Sequence, residues 1–415
     1  MYSIPELWSS ISITRTSNSN ERKLPHINHR LQRSGQSPLF IELDSGSNLL
    51  PILRLSEILD AIEVVKQNLH RTAYLCLTMP NSLLVEFTCG PIRPGAAPIL
   101  EEFHIHNNSE DPCSIDINLC ANLPRPWKVA ASNYLVSKVH LDWFHVSQLT
   151  LSFEHMDSPT VNDLLDLLSM AKSLVEFGCR FKPIEEYRAF LTPVPRLGRM
   201  IIHNSIQKLI LRDHRTADAI FLHTTIPSLE SLTLSNLLPA TLNALSRFLQ
   251  RSLCPLVSLA LSFTSHYYQS EGDGLLSFLK RLSLVTDTSL DSAAQLQVAN
   301  RDHPRLSDMF LPRLQKLKYS GKVYFPFGVF LDIMENRHAI SLTENSQASA
   351  LEELEIHARS PTEEAQTLLT EGDLEQILGL RAARKTVSVL QSYRSSTLAS
   401  DLVKEAMEVH GLGNN

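Results

Sequence analysis

The chain has 415 residues, of which 43% are hydrophobic and 20% charged, so it can bury a large core and is not a globally disordered polymer. Its 38 Lys and Arg against 44 Asp and Glu leave a formal charge of −6, with no basic excess to recommend a nucleic acid or an anionic membrane as partner. Leu is abundant at 68 residues and Gly scarce at 14, which argues against a collagen-like or low-complexity chain and against a Gly-rich phosphate cradle.

Along the chain, Met1 to Arg15 lacks the basic and then apolar segments of a secretory signal. Ile58, Leu59, Ile62 and Val65 stand at helical spacing, and so do Val161, Leu164, Leu165 and Leu168, which follow the cap-like pair Ser158-Pro159. The same stripe returns at Leu242, Leu245, Phe248 and Leu249, and at Val329, Phe330, Ile333 and Met334. Between these helices a six-residue pattern recurs, apolar-x-x-apolar-x-apolar. Its copies begin at Leu100, Val146, Leu174, Ile206, Leu229, Leu256, Leu279, Leu314 and Leu351. From Val146 onward they start 28, 32, 23, 27, 23, 35 and 37 residues apart. Asp287 to Ser307 is polar, lacks the pattern and reads as an exposed insertion. Thr386 to Leu390 reads as a last strand, and Ala399 to His410 as a closing helix with Leu402, Val403 and Met407 inward. The uncharged run Ser252 to Ser270 holds Pro255, His266 and many Ser, and reads as strand plus turn rather than a membrane span.

The pattern has a physical logic. Its last two apolar residues are two apart, so on a strand they share one face, while the first closes the core from the preceding turn. Neither the strands nor the helices can bury an apolar face alone, so the units must stack. The expectation is an α/β fold: an irregular leucine-rich-repeat-like solenoid with a curved parallel sheet inside and helices outside, capped from about residue 373 to 415. A doubly wound α/β domain is the alternative. Asn at the third position after the strand, a mark of regular repeats, occurs only at Asn108.

The chemistry is sparse. His104 and His106 share a strand face with Glu101, Glu102 and Cys113 nearby, a possible start for a zinc site, but no third ligand at metal-site spacing follows. They read as exposed strand histidines, with no metal and no cofactor expected. His203, His214 and His223 are too loosely spaced for a local motif. There is no P-loop, no G-x-G-x-x-G and no G-x-S-x-G elbow; Gly272-Asp-Gly274 reads as a turn and Glu352-Glu353 as surface. The six scattered Cys contain no C-x-x-C pair and suit a reducing compartment, cytosol or nucleus. What the strands offer is their outward face. The candidate protein-binding residues are His104, His106, Lys208, Arg212, Thr233, Lys316, Lys318, Glu353, Glu355 and His357, charged at the rims and small and polar in the middle.

The first 45 residues carry a further signal. Pro5-Glu6-Leu7-Trp8 is followed by Leu31-Gln-Arg33-Ser34-Gly35 and then Pro38-Leu39-Phe40-Ile41. This resembles F-box-like proteins of mushroom-forming fungi, in which a P-x-L-W segment ends the F-box helices and an R-S-G helix end opens a leucine-rich-repeat region. The resemblance implies an F-box remnant at Pro5, Leu7 and Trp8 with a linking helix up to residue 45, and repeats over 46–415. It implies a non-catalytic module that recognises a protein substrate for a cullin-type ubiquitin ligase, with the ligase adaptor as partner only where an F-box lies upstream. A hydrolase or transferase on an irregular α/β fold, or a truncated product without an adaptor role, are the alternatives.

Overall fold

The computed structural model describes residues 4–14, 23–46, 55–88, 96–109, 116–117, 126–134, 138–153, 161–181, 200–238, 241–263, 278, 313–321, 327–342, 350–360, 369–393 and 399–409. The chain divides into two units, Met1–Pro195 and Arg196–Asn415.

The first unit contains β1 (Ser10–Thr14), α1 (Lys23–Ser34), β2 (Leu39–Asp44), α2 (Leu55–Asn68), β3 (Thr72–Met79) and α3 (Asn81–Thr88). It continues with β4 (Glu102–Asn107), β5 (Lys128–Ser132), β6 (Gln148–Phe153), α4 (Val161–Met170) and β7 (Glu176–Phe181). Each of its strands pairs in parallel with the next one in the chain.

The second unit contains β8 (Ile201–Ile202), β9 (Lys208–Leu211), α5 (His214–His223), β10 (Thr224–Thr225), β11 (Ser231–Leu237), α6 (Thr241–Ser252) and β12 (Ser258–Phe263). Then come β13 (Lys316–Gly321), α7 (Gly328–Ser341), β14 (Glu353–Ser360), α8 (Glu371–Ala382), β15 (Thr386–Tyr393), β16 (Ala399–Asp401) and α9 (Leu402–Val409). Here β9, β11, β12, β13, β14 and β15 pair in that order, all parallel. The two-residue strands β8 and β10 pair only with each other. Both units are thus α/β, built on parallel sheets whose strands follow the order of the chain.

The recurring pattern explains the strands. Eight of its nine copies become strand entries: the first apolar residue, from Leu100 to Leu351, is at most 1% exposed, and the two strand residues that follow are at most 2% exposed. The copy at Leu279, the segment 287–307 and the pair Ser158-Pro159 lie outside the described residues. The helical stripes supply the other side of the core. Leu242, Leu245, Phe248 and Leu249 of α6 are buried, as are Leu164, Leu165 and Leu168 of α4. In α2 the stripe is deep at Ile62 and Val65 and shallower at Ile58 and Leu59. On β13 the Tyr319 ring meets Phe330 of α7 at 5.2 Å between centroids, which places that helix on the apolar side of the strand.

Several strands lie outside the pattern, β1, β3 and β5 among them. In β3 the first apolar position is held by Thr72, fully buried, whose hydroxyl donates to the Asn68 carbonyl at 2.9 Å. In β5 that position is Pro126 and the inward pair is Val129 and Ala131. β1 has the single deep residue Ile11. The C-terminus also differs from expectation. β15 is followed by β16, which pairs antiparallel with it, and α9 begins only at Leu402. Asp401 sets that start by accepting the Val403 N–H at 3.0 Å. Leu402 and Val403 are buried as expected, and Met407 is half-buried.

Asparagines do close some strands, two positions beyond the last inward residue rather than three. Asn107 and Asn133 each donate from the side chain to the other's carbonyl, at 3.1 and 3.2 Å, and both are buried. Asn236 donates to the Arg212 carbonyl at 3.2 Å. Asn133 and Asn236 have φ of 50° and 56°, a region Asn tolerates better than most residues. Among the described residues, no helix is long and apolar enough to cross a membrane.

Candidate functional site

The strand face turned away from the core is the candidate site in each unit. Parallel register aligns its side chains in rows across the strands. In the second unit one row reads Lys208, Ser231, Ser258, Lys316, Glu353, and the next reads Ile210, Thr233, Ala260, Lys318, Glu355. Ser231, Thr233, Ser258 and Ala260 are half-buried and short, leaving a shallow floor. Arg212 lies one residue past the end of β9 and is exposed.

The charges of this row are not presented singly. Lys316 Nζ lies 2.8 Å from Glu353, and Lys318 Nζ lies 2.7 Å from Glu355, each across one strand boundary. The Glu353 hydrogen bond raises the Lys316 pKa. Burial tends to raise the Glu355 pKa, but hydrogen bonds from Lys318 and His357 outweigh it and hold the carboxyl below its ordinary value. The rim is therefore a strip of compensated ion pairs.

In the first unit the rows read Phe40, Tyr74, Glu102, Lys128 and then Glu42, Cys76, His104, Ala130. A run of rings crosses them: Phe40 stacks on Tyr74 at 6.4 Å, Tyr74 meets His104 edge-on at 5.1 Å, and His104 meets His106 at 6.5 Å. The two histidines are half-buried rather than exposed, a correction to the sequence reading. The larger correction is their neighbour. Cys76 sits directly beside His104 in the β3–β4 register, and one ligand atom from each of Cys76, His104 and His106 falls within 4.8 Å of the others. Cys113 lies outside the described residues.

Sequence spacing missed Cys76 because β3 lacks the Leu that marks other strands. Reading Thr72 as the first pattern residue would have put Leu75 and Leu77 inward and Cys76 outward, next to His104. Burial raises the Cys76 thiol pKa, partly opposed by hydrogen bonds with Tyr74 and Thr78. Burial likewise lowers both imidazoles; Lys128 adds to this at His104, and Asp44 opposes it at His106. All three shifts favour the uncharged forms of these side chains.

The chain matches no protein-family model. No curated protein matches it.

At the N-terminus, Pro5–Trp8 forms a single 3-10 turn in which Leu7 is 75% exposed. Trp8 packs edge-on against His29 at 6.1 Å, with the Arg33 guanidinium 4.6 Å from its ring centre, so this turn is fastened to α1 by a cation–π contact.

Proposed function

We propose that the chain is a non-catalytic protein-interaction module of irregular leucine-rich-repeat-like architecture, whose open sheet face receives a protein partner. One observation supports this reading above others. The strands bury one side under Leu, Ile and Phe, while the opposite side stays half open with short polar residues bordered by paired charges. A stable complex on such a surface buries about 1,200–2,000 Å² in total. The ion pairs Lys316–Glu353 and Lys318–Glu355 would set orientation and selectivity more than affinity.

The P-x-L-W turn and the R-S-G end of α1 extend the proposal: the module resembles the substrate-recognition part of an F-box protein of a cullin-type ubiquitin ligase, acting in cytoplasm or nucleus. Adaptor binding belongs to it only together with F-box helices ahead of Pro5, and the transcript upstream of Met1 decides that point.

The test is site-specific photocrosslinking in the native host. A crosslinking residue at Thr233 or Ala260 should yield adducts with one defined protein, and the same residue at Asn243 or Arg247, exposed on α6, should not. Adducts from the α6 positions alone, or none from the sheet, contradict the proposal. The paired exchange K316E/E353K keeps attraction across the strands but reverses its polarity, and should weaken the adduct. Single reversal of Lys316 or Lys318 is a poorer probe, because it sets like charges side by side within the sheet.

A further inference from the structure

We infer that Cys76, His104 and His106 form a binding site for a zinc ion on the open face of the first unit, an assignment independent of any protein partner. Three observations carry it. The first is placement. Donor atoms from two adjacent strands, 28 residues apart in sequence, converge within 4.8 Å on paired backbone positions. Strands hold such geometry more tightly than loops do.

The second is an unmet polar atom. Nε2 of His104 is shut off from solvent and makes no hydrogen bond; its nearest charged neighbour, Glu102, stands 3.7 Å away and is itself held by Lys128 at 2.8 Å. Ligating imidazoles commonly use one nitrogen for the metal and set the other toward a carboxylate, and Glu102 is a carboxylate beside this ring.

The third is the donor chemistry and its surroundings. One thiol and two imidazoles are the soft-to-borderline set that zinc takes, and three protein ligands leave a fourth position for water or an incoming group. Glu42 flanks Cys76 in the register, and Asp44 lies two strands from His106 in the next row. With Glu102 they give, among the described residues of these rows, three carboxylates beside Lys128, a field that favours a divalent cation. On coordination the sulfur–zinc bond replaces the S–H bond, the proton passes to solvent, and water leaves the ion.

The test uses the full chain, stripped with a chelator and titrated with zinc against a chromophoric competitor, then with cobalt as a spectroscopic stand-in. The chain should bind one equivalent and, with cobalt, show a sulfur-to-metal charge-transfer band. C76S, close in size to the native residue, should abolish that band, and H106Q should weaken zinc by more than the roughly 10–100-fold that loss of an outer-shell partner costs. C179S and C254S, at buried thiols away from this face, should change neither, and circular dichroism confirms that each variant folds. Absence of stoichiometric binding overturns the assignment. So does a cobalt band that survives C76S, which would place the metal on another cysteine. Copper in place of zinc in the protein as purified overturns the identity of the ion.

Discussion

Arg71 shows how much one side chain can organise. Only 8% exposed, its guanidinium donates to Ser34 Oγ at 3.0 Å, to the Leu31 carbonyl at 3.2 Å, to Asn68 Oδ1 at 3.2 Å and to the Gly35 carbonyl. It thereby satisfies the open carbonyls at the end of α1 and ties that end to α2. Arg71→Met removes these four hydrogen bonds from a largely buried position and should cost about 2–4 kcal/mol in urea unfolding. Gly35→Ala meets no atom within 4 Å but must adopt φ of +56°, so it should cost only about 1–2 kcal/mol. Asp218 in α5 works in the opposite sense. Burial raises its pKa from 3.8 to about 6, with the Asp213 charge adding to the rise and Thr241 opposing it. The folded chain therefore holds this proton more tightly than the unfolded chain, and stability should fall as pH rises from about 4 to about 6. Asp218→Asn should flatten that part of the pH profile and raise stability at pH 7 by about 1–3 kcal/mol; an unchanged profile contradicts the account.

Each strand has two chemically distinct sides, and substitutions should separate them. Leu232 of β11 is fully buried, so Leu232→Ala should cost about 2–5 kcal/mol through lost transfer energy and the cavity left behind. Its neighbour Thr233 faces outward, and Thr233→Ala should stay within about 0.5 kcal/mol in the same denaturation experiment. This two-residue alternation is also what made the elements readable. Leu229, Leu232 and Leu234 announce a strand and its inward side without any tertiary knowledge, and Leu242, Leu245, Phe248 and Leu249 announce the helix after it. β3 and β5 were illegible because Thr72 and Pro126 fill the position that elsewhere holds Leu, and burial of a hydrogen-bonded Thr cannot be read from residue type. The late start of α9 was hidden for a similar reason: it depends on which backbone N–H groups Asp401 captures.

At the scale of the molecule, the recurrence of strand and helix is enough to fix strand order within each unit, because a parallel neighbour reached by a short crossover is the simplest return path for the chain. Register follows from the same alignment: the residue two past the first apolar position of one copy pairs with its counterpart in the next, as Lys316 does with Glu353. The pairing of Cys76 with His104 obeys the same rule but was hidden, because Thr72 stands where other copies carry Leu. Sequence-adjacent strands lie side by side with their short polar residues aligned on one face that stays half open among the described residues. Thr233 pairs with Ala260, and Ala260 with Lys318. Cysteines at Thr233 and Ala260 therefore sit at a separation a disulfide can span, whereas Thr233 and Lys318 are two strands apart. Mild oxidation followed by peptide mapping should link the T233C/A260C pair and leave the T233C/K318C pair unlinked. Linkage of the second pair, or failure of the first while the protein remains folded, would contradict the account.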